Sequence, residues 1–347
     1  MKKISTINDN WIFTYSKDDT KSVVNLPHTW NYDDGQDGDG KYYRCEKGAC
    51  SYEKELEVED LSEGDQLYLE FKGVNASAKV FVNANLAGEH DGGYSTFRVN
   101  ITPFLQKENI ITVEVENTKN DKVYPQFADF TFYGGIYRDV NLIQVGPNHF
   151  DLDYFGCNPI KIEPTIGDKD TDGKLKVTTW VTGEGEVSIA IFDAEGNTVC
   201  TLANGEETTI ANVHRWDGTK DPYMYKAVAT LTVNGEAVDE VSANFGFRSF
   251  HIDRNTGFYL NGRSYPLHGV SRHQDRPGMA RTGSTTFYGG NALTKAEHKE
   301  DMEMIKEIGA NTIRLAHYQH ADYFYDLCDE AGMVVWAEVP YISKHMN

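Results

Sequence analysis

Residues 264–340 constrain the fold more than any other stretch, because the apolar period switches back and forth there. Residues 265–270 (YPLHGV) form a short apolar run, and residues 296–308 then place Met302, Ile305 and Ile308 on one helical face. Residues 311–317 (NTIRLAH) read as a second strand, and residues 321–331 carry Phe324, Leu327, Cys328 and Ala331 at i, i+3, i+4 and i+7. Residues 333–339 (MVVWAEV) read as a third strand. Strands alternating with helices predict βαβ units and a parallel sheet. Each strand also runs into polar groups: Ser271-Arg272-His273-Gln274 after the first, His317-Tyr318 after the second, Glu338 after the third. The C-terminal ends of parallel strands are where a (β/α)8 barrel keeps its active site. A closed barrel needs eight strands and the chain reaches roughly the third. The expectation is a catalytic domain that this chain begins and does not complete.

The start of that domain is well specified locally. Thr294-Lys295-Ala296-Glu297 is a capping box, and Gly309 and Gly332 sit where each helix must stop. Between the first strand and the cap, residues 277–291 (PGMARTGSTTFYGGN) are Gly-rich and aperiodic. They predict a long irregular loop on the active face.

Upstream the pattern is all β. Residues 11–15, 51–58, 66–73, 78–82, 109–116 and 136–145 alternate or carry short apolar runs between Gly and Asn turns, which suggests a sandwich or jelly roll over residues 1–147. Residues 148–252 hold further strand candidates at 174–182, 186–193, 223–233 and 238–252, with turn signals at 194–197 and 233–236. That length and strand density fit an immunoglobulin-like sandwich. A hairpin at 258–263 leads into the third segment, 253–347. A chain of 347 residues has room for these three domains.

Composition removes several functional classes. Thirty-three basic against 53 acidic residues give a net charge of −20, which argues against nucleic acid and against an anionic membrane surface as partners. The sequence has no apolar run of membrane-spanning length, and its N-terminus lacks the apolar core of a signal peptide. The five cysteines have irregular spacing and no CxxC, which fits reduced thiols and a cytoplasmic protein. Cys45 and Cys50 are close enough in sequence to bridge or share a metal, but no neighbouring His or second Cys pair supports a metal site.

Three motifs need weighing. Arg272, His273, His317 and Glu338 have a plain reading, loop polarity with an Arg314–Glu338 salt bridge; their convergence on one face favours function. Arg314 points either into the barrel or at the helices, and inside the barrel its charge requires a carboxylate. Residues 133–140 (YGGIYRDV) read either as a turn followed by an edge strand or as a functional segment, with Asp139 on one face with Tyr137 and Asn141. Residues 168–173 (DKDTDG) match the first half of a calcium loop. Position twelve is Thr179 and a strand follows, so an acidic hairpin turn is the better reading. Residues 33–40 fit no ligand spacing, and no GxGxxG after a strand, Walker loop, HExxH or GxSxG occurs.

At these residues the chain resembles glycoside hydrolase family 2, the β-galactosidases and β-glucuronidases. Residues 26–30 (LPHTW), 134–140 (GGIYRDV), 245–248 (FGFR) and 311–318 (NTIRLAHY) carry the resemblance, which runs the whole length in the order jelly roll, sandwich, TIM barrel. It implies a retaining β-galactosidase, with residues 269–273 and 138–140 the reason for preferring galactoside over glucuronide or mannoside. It implies that Asp139, His273 and His317 bind sugar, that Arg314 holds a nucleophile carboxylate and that Glu338 lies at the base of the pocket. The acid/base and nucleophile glutamates are expected beyond Asn347, so this chain by itself is expected to be inactive. No cofactor is implied beyond a magnesium or sodium ion in a full-length parent, and Ile342 stands where some relatives place a magnesium-binding glutamate. The expected partner is a β-galactoside; a homo-oligomer is compatible with the sequence. Residues 45–50 and 277–291 depart from the family. The alternative is a non-enzymatic carbohydrate-binding or interaction protein built from the two β domains.

Overall fold

The structure is a computed structural model that describes residues 1–34, 48–58, 61–125, 128, 130–280 and 287–342. Its first domain is a jelly roll of two packed antiparallel sheets. One has four strands, in the order Lys3–Thr6, Val140–Val145, Gln66–Phe71, Phe97–Asn100; the other has six. The sequence explains the packing: Glu108–Glu116 alternates strictly, so Asn109, Ile111, Val113 and Val115 are buried while Glu108 and Glu116 face out. Trp11, Tyr52, Leu69, Phe71 and Ile136 fill the space between the sheets. The strand Val140–Val145 is no edge: it pairs with Lys3–Thr6 on one side and Gln66–Phe71 on the other. Sequence alone does not show this, because Lys3–Thr6 is exposed at every position and has no alternating hydrophobic signature.

The second domain packs the strands Ile160–Thr165, Gly173–Thr179 and Glu207–Ile210 against a four-stranded sheet ordered Thr198–Ala203, Glu186–Phe192, Tyr225–Val233, Glu236–Phe245. Leu175, Val177, Ile189, Ile191, Ala227 and Leu231 are fully buried between them. The acidic turn at 168–173 closes on itself. Asp168 accepts from Ser249, Asp172 accepts from Asn212 N, and the Arg215 guanidinium donates to the carbonyls of Gly167, Asp168 and Asp170. The Arg215 cation lies on the turn's carbonyls, and the Asp168 and Asp172 carboxylates are engaged by Ser249 and Asn212, which agrees with the turn reading.

The third segment is parallel βαβαβ. Strands Gly269–Arg272, Thr312–Leu315 and Val334–Ala337 pair side by side in that order. Helix α1 (Lys295–Glu307) starts at the expected capping box: Thr294 and Glu297 satisfy each other's backbone amides. Helix α2 (Asp322–Ala331) ends on Gly332 in the left-handed conformation. Ile313 and Leu315 face these helices and pack on Met302, Ile305, Phe324 and Leu327.

One expectation fails here. The aperiodic stretch 277–291 is not a plain loop: Arg276–Ala280 and Phe287–Gly290 form an antiparallel hairpin. Its order comes from the jelly roll. Gly278 lies against the ring of Tyr32, and Gly290, at φ +54°, leaves room only for Tyr133 and Thr29. Those contacts are tertiary, so no periodicity announces them. Of the two cysteines close enough in sequence to bridge or share a metal, Cys45 lies outside the described residues. Cys50 is fully buried with its Sγ 3.5 Å from Ser16 Oγ.

Candidate active site

The three strand ends place their side chains by alternation. Ile313 and Leu315 face the helices, so Thr312 and Arg314 face the barrel interior. Parallel register puts Ser271, Arg314 and Trp336 in one interior layer. That settles the direction of Arg314 and requires a carboxylate, which the third strand supplies. Arg314 Nε donates to Glu338 Oε1 at 2.6 Å, and His317 Nδ1 lies 2.8 Å from Glu338 Oε2. The same Nδ1 lies 3.1 Å from Arg314 Nη2, so Arg314, His317 and Glu338 form one closed hydrogen-bonded group. Partial desolvation pushes the Glu338 pKa up, but the hydrogen bonds and charges of Arg314 and His317 outweigh it, and the net shift is downward. Glu338 is therefore an anion that orients two cationic or proton-bearing groups. It is not a general acid at neutral pH.

His273 completes the group from the first strand. Its ring centroid is 5.2 Å from that of His317, and Tyr318 Oη is 3.5 Å from its Nδ1. Tyr318 is buried and its phenol pKa is driven far up, first by desolvation, so it stays protonated. Arg272, one residue earlier, turns the opposite way. It is 7 % exposed and lies 3.8 Å over the ring of Phe324, with Asp301, His298 and His320 around it. The polar run 271–274 thus divides between the site and the helix layer.

The jelly roll contributes an aromatic wall that the sequence reading missed. Phe130 stacks near the His317 ring (5.9 Å, 19°) and lies 5.2 Å from His273 and 5.5 Å from Tyr318. Tyr94 stacks on Tyr318 at 4.2 Å and 13°. The residues that hold Phe130 there are two of the motifs already singled out. His28 N donates to Ile136 O, Thr29 Oγ1 and Trp30 N donate to Gly134 O, and a side chain at Gly134 would overlap the Trp30 ring. Residues 26–30 and 134–140 therefore form one hydrogen-bonded unit that aims the segment ending in Phe130-Thr131-Phe132-Tyr133 at the barrel. A cluster of aromatics just before two glycines was the available signal.

Asp139 does not join the group. Its Oδ1 accepts from Asn8 Nδ2 at 2.8 Å, and its neighbour Arg138 is the one that faces the barrel. Successive residues point to opposite sides, and the placement of Arg138 at the domain seam leaves Asp139 on the far side. The structure thus brings together His273, His317, Arg314 and Glu338, and leaves out Asp139. Among the described residues no group of three or more His, Cys, Asp or Glu is arranged to hold a metal ion.

The arrangement can bind a polyhydroxylated ring: imidazoles, a guanidinium and a carboxylate offer both donors and acceptors beside aromatic faces. Retaining glycoside hydrolysis needs two carboxyl groups roughly 5 Å apart. Among the described residues Glu338 is the carboxylate hydrogen-bonded within this cluster, and both its oxygens are engaged.

Known proteins match along the whole chain. The family model for the sugar-binding domain of glycosyl hydrolases family 2 matches residues 6–146, that for glycosyl hydrolases family 2 matches 158–248, and that for its TIM barrel domain matches 252–347. A β-glucuronidase of Bacteroides fragilis is 36 % identical over 97 % of this chain and 49 % of its own length. A β-galactosidase of Thermoanaerobacterium thermosulfurigenes is 32 % identical over 98 % of this chain and 49 % of its own. The crystal structure of an FMN-binding β-glucuronidase from Facaelibacterium prausnitzii L2-6 superposes with a TM-score of 0.92 at 39 % identity, over 100 % of this chain and 53 % of that one. The chain spans about half the length of the relatives it matches. With jelly roll, immunoglobulin-like sandwich and barrel strands in the family's order, this chain belongs to glycoside hydrolase family 2.

Proposed function

We propose that the protein carrying this chain is a retaining glycosidase acting on β-D-glucuronides, and that this chain supplies the glycone-binding part of its active site. The observation that carries the reading is the cluster of His273, His317, Arg314 and Glu338 at the strand ends, walled by Phe130 and Tyr318. Three donor-bearing side chains against one engaged carboxylate suit a sugar with an anionic substituent. The relatives named above support glucuronide over galactoside, and β-galactoside hydrolysis is the second reading, favoured by the similarity to β-galactosidases. In this reading the acid/base and nucleophile carboxyls come from the part of the relatives' length that this chain does not span.

The test is hydrolysis of p-nitrophenyl β-D-glucuronide and β-D-galactoside by the full-length protein. The glucuronide should be the better substrate by kcat/KM, and His317→Ala should lower that value by about 10²-fold, the size of effect expected when substrate orientation is lost. A preference for the galactoside moves the second reading ahead. No turnover of either, with galactose or glucuronic acid still bound in calorimetry, points to the non-enzymatic carbohydrate-binding alternative.

A further inference from the structure

We propose that Arg138 is a positioning residue: from the jelly roll it sets the two histidine-bearing strand ends of the barrel against each other. Its Nη1 donates to the carbonyls of Lys72 (3.2 Å) and Tyr94 (3.0 Å) within its own domain. Its Nη2 crosses the seam and donates to Gln319 O (2.7 Å) and Gln274 Oε1 (3.2 Å). Gln274 follows His273 directly, and Gln319 follows His317-Tyr318. One planar guanidinium thus spans both strand-end loops. Gln274 passes the constraint on: its Oε1 also accepts from Ala321 N at the start of α2, and its Nε2 donates to Asn291 O.

Two features show that this is more than filling. Arg138 is 6 % exposed, yet among the described residues no carboxylate pairs with it, its hydrogen-bond acceptors are all carbonyl oxygens, and Nε has no partner. A buried cation held only by dipoles is an expensive way to fill space, and an apolar side chain of similar volume usually gives equal or better stability. What an apolar chain cannot do is hold two loops at fixed separation. A guanidinium can, because its donors form a rigid fork. The stem is also fixed, packed on Gly73 and with its charge 4.9 Å over the Tyr137 ring, whose hydroxyl donates to Gly93 O.

The kinetic test rests on the glycosidase reading above; the exchange test does not. In the full-length protein, Arg138→Met should lower kcat/KM by about 10²-fold, as for a small misplacement of binding groups. Arg138→Lys, which keeps the charge but cannot span both loops, should behave alike. In a double-mutant cycle the loss from Arg138→Met combined with His273→Ala should fall short of the product of the single losses by about 10-fold, since one acts through the other. Single losses that multiply, an Arg138→Met enzyme equal to wild type, or full rescue by lysine would each overturn the proposal. Independently of any activity, amide exchange at 273–274 and 318–321 should quicken in both variants while 312–315 stays unchanged. If exchange there is unaltered, Arg138 is not the clamp. If wild type hydrolyses no glycoside, the functional reading fails and the exchange result still decides this one. If Arg138→Met does not fold, the lysine variant carries both measurements.

Discussion

Around Arg272 burial fixes the protonation of its neighbours. His298, 2 % exposed, has its pKa pushed down to about 3, by desolvation first and then by the charge of Arg272. His320 is pushed well below its ordinary value by the same two causes. Both accept a hydrogen bond from the guanidinium through Nδ1, and His320 donates from Nε2 to Ala316 O, which is the pattern of neutral rings. The unfolded chain titrates these groups near 6.5. Between about 6.5 and about 3 the unfolded state therefore binds a proton at His298 that the fold excludes. Stability is whole above that window and falls as pH drops through it, by roughly 1.4 kcal/mol per pH unit for His298, and His320 acts in the same direction. We expect the melting temperature to fall from about pH 7 to about pH 5, and His298→Gln to flatten the fall. A slope identical in the two proteins would mean that His298 is not held neutral. At this scale the sequence showed which groups ionise and that they gather at strand ends, because residue type and spacing are enough for that. It did not show which way each side chain turns. Arg138 faces the barrel where Asp139 was expected to, and Phe130 enters the site from a domain whose distance from the barrel no local pattern encodes.

At the scale of the element, helix ends were the most legible feature, because caps are satisfied within a few residues. The capping box at Thr294 and the stops at Gly309 and Gly332 lie where the sequence puts them. The two glycines nevertheless do different work. Both adopt positive φ, +75° and +71°, but a Cβ on Gly309 would meet open space. One on Gly332 would overlap the backbone of Gly218 and Thr219 in the second domain. Gly309→Ala should then lose only the left-handed backbone preference, about 1 kcal/mol. Gly332→Ala adds a clash between domains and should lower the melting temperature further. Equal melting temperatures would show that the seam yields without cost. Elements lacking an internal pattern were the ones missed: Lys3–Thr6 is exposed at every position, and the hairpin at Arg276–Ala280 and Phe287–Gly290 rests on Tyr32 and Tyr133.

For the whole molecule, the two sandwiches have closed cores and the barrel segment does not. Trp336 and Val339, at the third barrel strand and just beyond it, are 67 % and 66 % exposed. The strands Gly269–Arg272 and Val334–Ala337 are the outer members of their sheet. Open edges and uncovered apolar side chains make a parallel sheet easy to open. Limited proteolysis of this 347-residue chain alone should first cut within 264–342 and leave a resistant product holding both sandwiches; first cuts inside the sandwich strands would refute this. The sequence by itself determined the three-domain order, the βαβ alternation, the caps and the candidate groups His273, His317, Arg314 and Glu338, because each is written in periods and neighbours a few residues long. Only the tertiary structure decided that Arg314 faces the barrel interior, that Glu338 is its counter-ion, that Arg138 rather than Asp139 reaches the seam, and that Phe130 walls the site. Those outcomes depend on contacts between residues up to 181 positions apart, as between Arg138 and Gln319, and no local pattern carries distances of that kind.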